Sequence, residues 1–467
     1  MAVLGFHSFS EFVVYLTFLF FGVSVMLVSS AISAALSFIT AYYKYAQGKP
    51  DVEAEDPVFW ANVLTYFNVA VFVMQVLCEA FVLAPFGRCI PLRPRLTAGL
   101  LIPLVEVLIL ILVLVGKTSE AGAKATIVVI AIVSGLSKTL CDSSTTALAA
   151  LFPTKFFGAF VWGLGVSGII SSALSIIIKA SMPNDFYCVL TQSRIYFGVT
   201  MGFQLFSCIL LVVMPRIPLA REYTAEFRYV HDHRKQGHAP DDERADSSEE
   251  AKEASMATLE YTTESADPGN GTNVLNAEGD ADNVKDTDQV DNITSTQQML
   301  SARIWTLLVR VCPMLLSCFI VFGATLQVFP GVFFAVKSDN EWYTTIIVAM
   351  FNVGDFVGRF FLLFKLLQPL PRVVLAGTFL RLLAIPPLVL CVCGIIPCIA
   401  LPYILCLIWG TTGGYFGGKA MIYGPRTPSL TMAGQRSLAA IMVELSLQLG
   451  LFIGSSLALA VKKEFPA

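Results

Sequence analysis

Eleven runs of about twenty mostly apolar residues punctuate this chain, each about the length an α-helix needs to cross the hydrocarbon core of a bilayer. They cover residues 12–39, 63–84, 96–115, 125–147, 157–179, 195–214, 304–329, 344–366, 373–393, 396–423 and 437–461. Hydrocarbon offers no water to backbone N–H and C=O groups, so runs of this length must satisfy them internally, as helices. The expected fold is therefore an all-α polytopic membrane protein with eleven transmembrane helices.

Composition agrees. Of 467 residues, 55% are hydrophobic and 14% charged, with a mean hydropathy of +0.70; soluble domains carry about 25% charged residues. The charge is unevenly placed. Residues 241–291 hold 16 acidic and 3 basic side chains, which leaves 18 acidic against 28 basic elsewhere, so a basic membrane body is masked by one acidic segment under a net charge of −3.

That segment belongs to a hydrophilic interval of another kind, and it divides the chain into residues 1–214, 215–303 and 304–467. The interval begins basic (Arg216, Arg221, Arg228, Arg234, Lys235) and continues acidic and Ser/Thr/Asn-rich. Such a composition buries too little apolar surface to offset ordering entropy, and disorder is expected there. Six runs precede it and five follow.

The distribution of Lys and Arg favours a cytosolic N-terminus and an extracellular C-terminus. This puts Arg88, Arg93, Arg95, Lys155, Lys365, Arg372, Arg426 and Arg436 inside. Lys44, Lys49, Lys117, Lys124, Lys179, Lys337, Lys462 and Lys463 fall outside, in loops that also carry acids such as Asp51 and Asp339. The sequons at Asn270 and Asn292 are then cytosolic and unmodified. Met1 to Ser10 lacks a basic leader region, so the first run is expected to remain as a helix.

Enzymatic chemistry finds little support. The four histidines (His7, His231, His233, His238) all lie outside the apolar runs, and no nucleophile–base constellation can be assembled. The eleven cysteines show no zinc spacing and read as small packing residues. Gly413-x-x-x-x-Gly418-Lys419 imitates a phosphate-binding loop, but Ala420 replaces the required hydroxyl residue and no strand precedes it. No enzyme activity, metal or cofactor is expected.

Charges inside the runs are costly and usually face a cavity or a partner. They are Glu106, Lys138, Asp142, Asp355, Arg359, Arg381, Lys419 and Glu444, with Glu79 nearer a helix end. Asn352, Asp355 and Arg359 share one helix face, with Asp355 one turn from Arg359. Gly354 and Gly358 make a small-residue edge beside them. Such a pair serves either as a packing bridge or as a gate. Lys138 and Asp142 form a second pair, followed by Ser143, Ser144, Thr145 and Thr146, a density of hydroxyls that suits a hydrogen-bonding site. Gly410, Gly414 and Gly418 mark another tightly packed face. Arg381, Lys419 and Glu444 read as gating or structural charges.

These features together resemble a known family. The eleven runs, the hydrophilic interval after the sixth, FN-x-x-D-x-x-GR at 351–359 and R-x-x-x-x-P from Arg381 to Pro386 resemble the equilibrative nucleoside transporters. YYKYAQGKPD (42–51), LCDSS (140–144), FPTKFFGAFVWG (152–163), AEFRY (225–229) and GQRSLAA (434–440) are similar to the trypanosomatid purine nucleoside and nucleobase transporters of that family.

The resemblance implies a major-facilitator-like arrangement of six plus five helices that works by alternating access. It carries functional weight onto Asn352, Asp355 and Arg359, and substrate contact onto Asp142, where many members have Gln. Val28-Ser29-Ser30 stands where many members have Pro-Trp-Asn, so Phe20 and Phe21 become candidates for stacking on a flat base, with Trp162 behind them. Ser143 is a candidate hydrogen-bonding partner. The implied partners are a purine nucleoside, or alternatively a purine nucleobase, with protons and the lipid bilayer of the plasma membrane, and not nucleic acid.

Overall fold

A computed structural model describes residues 6–113, 118–183, 185–224, 295–336, 340–364, 367–396, 398 and 400–464. The acidic segment 241–291, Asn270, Asn292, the 225–229 motif and the loop residues Lys117, Lys337, Asp339 and Lys365 lie outside these residues. Among those described, all regular structure is helical, and eleven long helices dominate. They are α1 (Phe9–Ala34), α2 (Val63–Leu83), α3 (Leu92–Val113), α4 (Glu120–Ala149), α5 (Thr154–Ser181), α6 (Phe186–Val213), α7 (Ile304–Val328), α8 (Tyr343–Phe360), α9 (Pro371–Val392), α10 (Leu401–Tyr423) and α11 (Ala433–Glu464).

Ten of these are long and apolar enough to span a membrane. The remaining one, α10, has the length at 23 residues, but its glycine-rich stretch and Lys419 dilute its hydropathy. Helix α9 is interrupted by a 3₁₀ turn at Arg381–Ala384, immediately before Pro386 and Pro387, which cannot donate backbone hydrogen bonds. Helix α6 starts at Phe186, nine residues before the apolar run, because Thr191, Gln192 and Arg194 sit on exposed or half-exposed faces near its end.

The two halves pack by one scheme. Helix α1 lies along α5 and α2 along α4 in the first half; α7 lies along α11 and α8 along α10 in the second. The halves then join through α5 with α8 and α2 with α11, contacts that a two-fold relation between the halves would exchange. Close glycine crossings repeat the pattern. A Cβ on Gly163 would stand 2.1 Å from Leu19 O, and one on Gly454 would stand 2.1 Å from Gly323 O, so both α1–α5 and α7–α11 touch backbone to backbone. The glycine edges read from the sequence meet each other: a Cβ on Gly354 would lie 2.4 Å from Leu407 O, and one on Gly410 the same distance from Phe351 O.

The core shows which end is closed. One hydrophobic cluster contains Phe18, Leu148, Phe152, Phe156 and Phe160 of the first half together with Met314, Leu362, Ile422, Leu438 and Ile441 of the second. It lies at the end from which the hydrophilic interval leaves and returns. Polar links cross the same end: Arg426 donates to Phe152 O at 2.6 Å, Ser437 to Ala147 O at 2.9 Å, and Arg88 to Met299 O at 3.0 Å. Towards the opposite end, each half keeps its own apolar cluster, one around Phe38, Tyr42 and Phe197, the other around Phe333, Tyr343 and Trp409. Lys179 bridges the halves there, donating to Glu341 O and Thr345 Oγ1 and lying 4.9 Å over the Trp342 ring.

Candidate functional site: a buried charge cluster on the seam

The motif on α8 joins the halves at two levels. Asn352 Nδ2 donates to Ser172 Oγ on α5 at 2.7 Å. Two turns along, Arg359 Nε donates to Asp355 Oδ2 at 2.7 Å while its Nη1 reaches Val161 O on α5 at 3.3 Å. Asp355 therefore braces the arginine, and the arginine crosses the seam. A Cβ on Gly165 would stand 3.0 Å from the Arg359 Cδ and 3.1 Å from the Phe356 Cα, so α5 is bare where this side chain passes.

Asp142 faces the same seam from α4, 1% exposed. The charges acting on it come from Lys138 one turn back, Arg359 on α8, Glu79 on α2 and Glu444 on α11. The pair predicted within α4 thus becomes part of a cluster drawn from four helices. Gln448 Nε2 holds Glu444 Oε1 at 3.0 Å, and Gln75 of α2 is fully buried on the same side of the first half.

The hydroxyl run has a defined use. Arg95, expected in a solvated inner loop, instead lies buried in the first turn of α3; its Nε donates to Ser144 Oγ at 3.3 Å and its Nη2 to Ser143 Oγ at 3.4 Å. Arg88 is likewise buried against Met299, so both arginines contribute to packing at the closed end rather than to a loop. Thr145 and Thr146 donate to carbonyls of their own helix, at Cys141 and Asp142. Ser143 accordingly sits beside Asp142 with its oxygen already accepting from Arg95.

The remaining candidates divide. Phe21 is fully buried and packs edge-on to Phe18 in the shared core, while Phe20 turns to α6, stacked on Phe203 at 5.9 Å. Neither ring is brought to the Asp142 cluster. Trp162 is better placed: on α5, next to Val161, it packs against Phe356 and Phe360 of α8 at 5.7 and 5.6 Å, with its indole N–H buried and without a hydrogen-bond partner among the described residues. Lys419 is held near Tyr415 and Tyr423 at 5.9 and 5.5 Å.

Arg381 ties the broken α9 to two neighbours. Its Nη1 donates to Val321 O and Thr325 Oγ1 of α7, its Nη2 to Trp409 O of α10, and its guanidinium lies 4.1 Å over the Trp409 ring. An ammonium group lacks this planar fork. Arg381→Lys is therefore expected to lower the surface level of the protein severalfold, measured by biotinylation, without changing KM in the molecules that arrive.

Beside Lys138, the side chains of Ser24, Ser29, Ser134 and Ser137 enclose a cavity of about 10 Å³. That volume admits one water.

Gln75 and Gln448 carry no signal in the sequence, and the meeting of Glu79 and Arg95 with Asp142 carries none either, because no spacing joins residues of α2, α3 and α11. Among the described residues no His/Cys/Asp/Glu group could hold a metal ion.

The profile of the family described as "Nucleoside transporter" matches residues 125–463. "Nucleoside transporter 2" of Leishmania donovani is 46% identical over 98% of this chain and 95% of its own length. "Adenosine transporter 1" of Crithidia fasciculata is 29% identical over 96% of this chain and 93% of its own. Among solved structures, the major facilitator superfamily proton:xylose symporter XylE superposes with a TM-score of 0.60 at 13% identity, over 97% of this chain and 89% of its own. That likeness is one of fold.

Proposed function

Because this chain belongs to the nucleoside transporter family, we propose that it carries purine nucleosides, of the adenosine, inosine and guanosine class, across the plasma membrane by alternating access coupled to protons. The N-terminus is cytosolic and the C-terminus extracellular. With that orientation the shared core closes the cytosolic end, and the two halves part at the other to admit substrate.

The observation that carries this reading is the position of Asp142: a buried acid on the seam between the halves, facing both Lys138 and Arg359. A purine presents N–H groups at its edges, and a carboxylate accepts them in strong, charge-assisted bonds. The rings of Trp162 and Phe356, tilted 36° to each other, offer aromatic faces on the same seam. Arg359 is charged and reaches both halves, so substrate at Asp142 and the joint between α5 and α8 act on one another. Ser143 and Asn352 supply polar groups nearby. The name of the Crithidia relative, an adenosine transporter, points to the same substrate class.

The test is uptake of radiolabelled adenosine, inosine, hypoxanthine and adenine in a transporter-deficient cell, with and without a proton gradient at clamped membrane potential. Asp142→Asn is expected to reach the surface normally and to raise the KM for nucleosides roughly tenfold or more, the loss of a hydrogen bond to a charged group. Unchanged kinetics in that variant would remove Asp142 from the site. Preference for hypoxanthine and adenine would make the protein a nucleobase carrier, and uptake indifferent to a protonophore would remove the proton.

A further inference from the structure

Asp142 and Glu444 belong to different halves, yet α11 packs on α4 and their buried carboxyl groups face each other closely enough to act on one another. Both are fully buried, at 1% and 0% exposure. One oxygen of each, Asp142 Oδ1 and Glu444 Oε2, has no hydrogen-bond partner among the described residues. Two ionised carboxylates have only acceptors to offer, so such a contact holds together only with a proton between the oxygens.

The surroundings count to the same result. The groups facing the pair are Lys138 on α4, Glu79 on α2, Arg95 on α3 beside Glu79, Arg359 on α8 and the Cys318 thiol on α7. Arg359 is matched by Asp355. Among the described residues, Lys138 and Arg95 then stand against Glu79, Asp142 and Glu444, an excess of one negative charge among buried side chains. Burying an uncompensated charge is costly, and a single proton removes the excess.

We propose that Asp142 and Glu444 form the proton-carrying site of the transport cycle, a shared acid pair that exists only while the halves are closed on the side of the hydrophilic interval. Helix α11 carries Glu444 and packs against α2 and α4. When the halves part on that side, α11 withdraws, the oxygens separate, and the proton has lost its second acceptor and leaves to that side. Closing again on a deprotonated pair brings two carboxylates together, which is unfavourable until a proton arrives from the other side. Glu444 is thereby a coupling residue rather than a substrate ligand, held at its angle by Gln448. The inference rests on the proton-coupled reading above.

The experiment uses the full-length protein in vesicles, with a pH gradient, zero membrane potential and labelled adenosine as probe. At one proton per substrate the wild type is expected to accumulate adenosine about tenfold for each unit of pH difference. Glu444→Gln is expected to equilibrate adenosine across the membrane without accumulating it, and Glu444→Asp to restore accumulation. Wild-type accumulation by Glu444→Gln overturns the assignment of the pair while leaving proton coupling intact. Absence of accumulation in the wild type overturns proton coupling and the pair together. If Glu444→Gln fails to fold, a lipophilic carbodiimide, which modifies protonated buried carboxyl groups, is applied to the wild type: labelling mapped to Asp142 or Glu444 supports the shared proton, and labelling of neither overturns it.

Discussion

Gly163→Val is expected to eliminate the folded transporter. A Cβ at this position would stand 2.1 Å from Leu19 O, 3.0 Å from Leu19 C and 3.1 Å from Gly22 Cα, all backbone atoms of α1. Overpacking a core costs about 1–3 kcal/mol when side chains can move aside. Here the obstacle is a helix backbone, which moves only as a unit, and α1 and α5 share one of the most extensive contacts in the molecule. Separating them would also disturb Phe18, Phe152, Phe156 and Phe160, the core that closes one end. The measurement is the yield and thermal transition of detergent-purified protein, with Gly198→Val as control, since a Cβ there meets nothing within 4 Å. A Gly163→Val protein that purifies and transports like the wild type would contradict the helix crossing described.

The second large effect is expected at Arg359. Its removal leaves the half-buried Asp355 without its cation, at up to the roughly 3–5 kcal/mol that breaking a fully buried pair costs. The same change deletes the donor to Val161 O across the seam. Arg359→Leu is therefore expected to lower uptake on the order of a hundredfold per molecule at the surface. The exchanged pair, Asp355→Arg with Arg359→Asp, tests what the arginine does. It restores an ion pair of opposite sense, but it takes the guanidinium away from Val161 O and leaves a shorter side chain with no donor there. We expect no recovery. Transport restored by the exchange would reduce the pair to a packing bridge within α8.

These expectations draw on two kinds of information. Asp355 and Arg359 lie one helical turn apart, so their contact follows from periodicity alone; so do the small faces Gly354/Gly358 and Gly410/Gly414. That these faces meet one another, and not some other helix, does not follow from it. The hydroxyls after Asp142 show the same limit. Their density marks a polar place, but the helix that supplies Arg95 to Ser143 and Ser144 is remote in sequence, and the arginine itself reads as a loop charge until α3 is seen to begin before it. Among the aromatic residues, Phe20 and Phe21 stand on the expected helix, yet the seam is lined by Trp162 because rotation of a helix about its axis is set by its neighbours.

Chain composition by itself determined that this is a polytopic helical membrane protein in two parts, since about twenty apolar residues in a row leave the backbone no other way to satisfy its hydrogen bonds in lipid. It also determined that the few charges inside those runs are the places to examine, because each one is expensive there. Only the tertiary structure decided which charges meet. Asp142, Glu444, Glu79, Lys138 and Arg359 come from four helices separated by up to 365 positions, and they converge because α2, α4 and α11 pack on one another and α5 packs on α8, while glycine crossings hold α1 against α5, α8 against α10 and α7 against α11 at backbone contact.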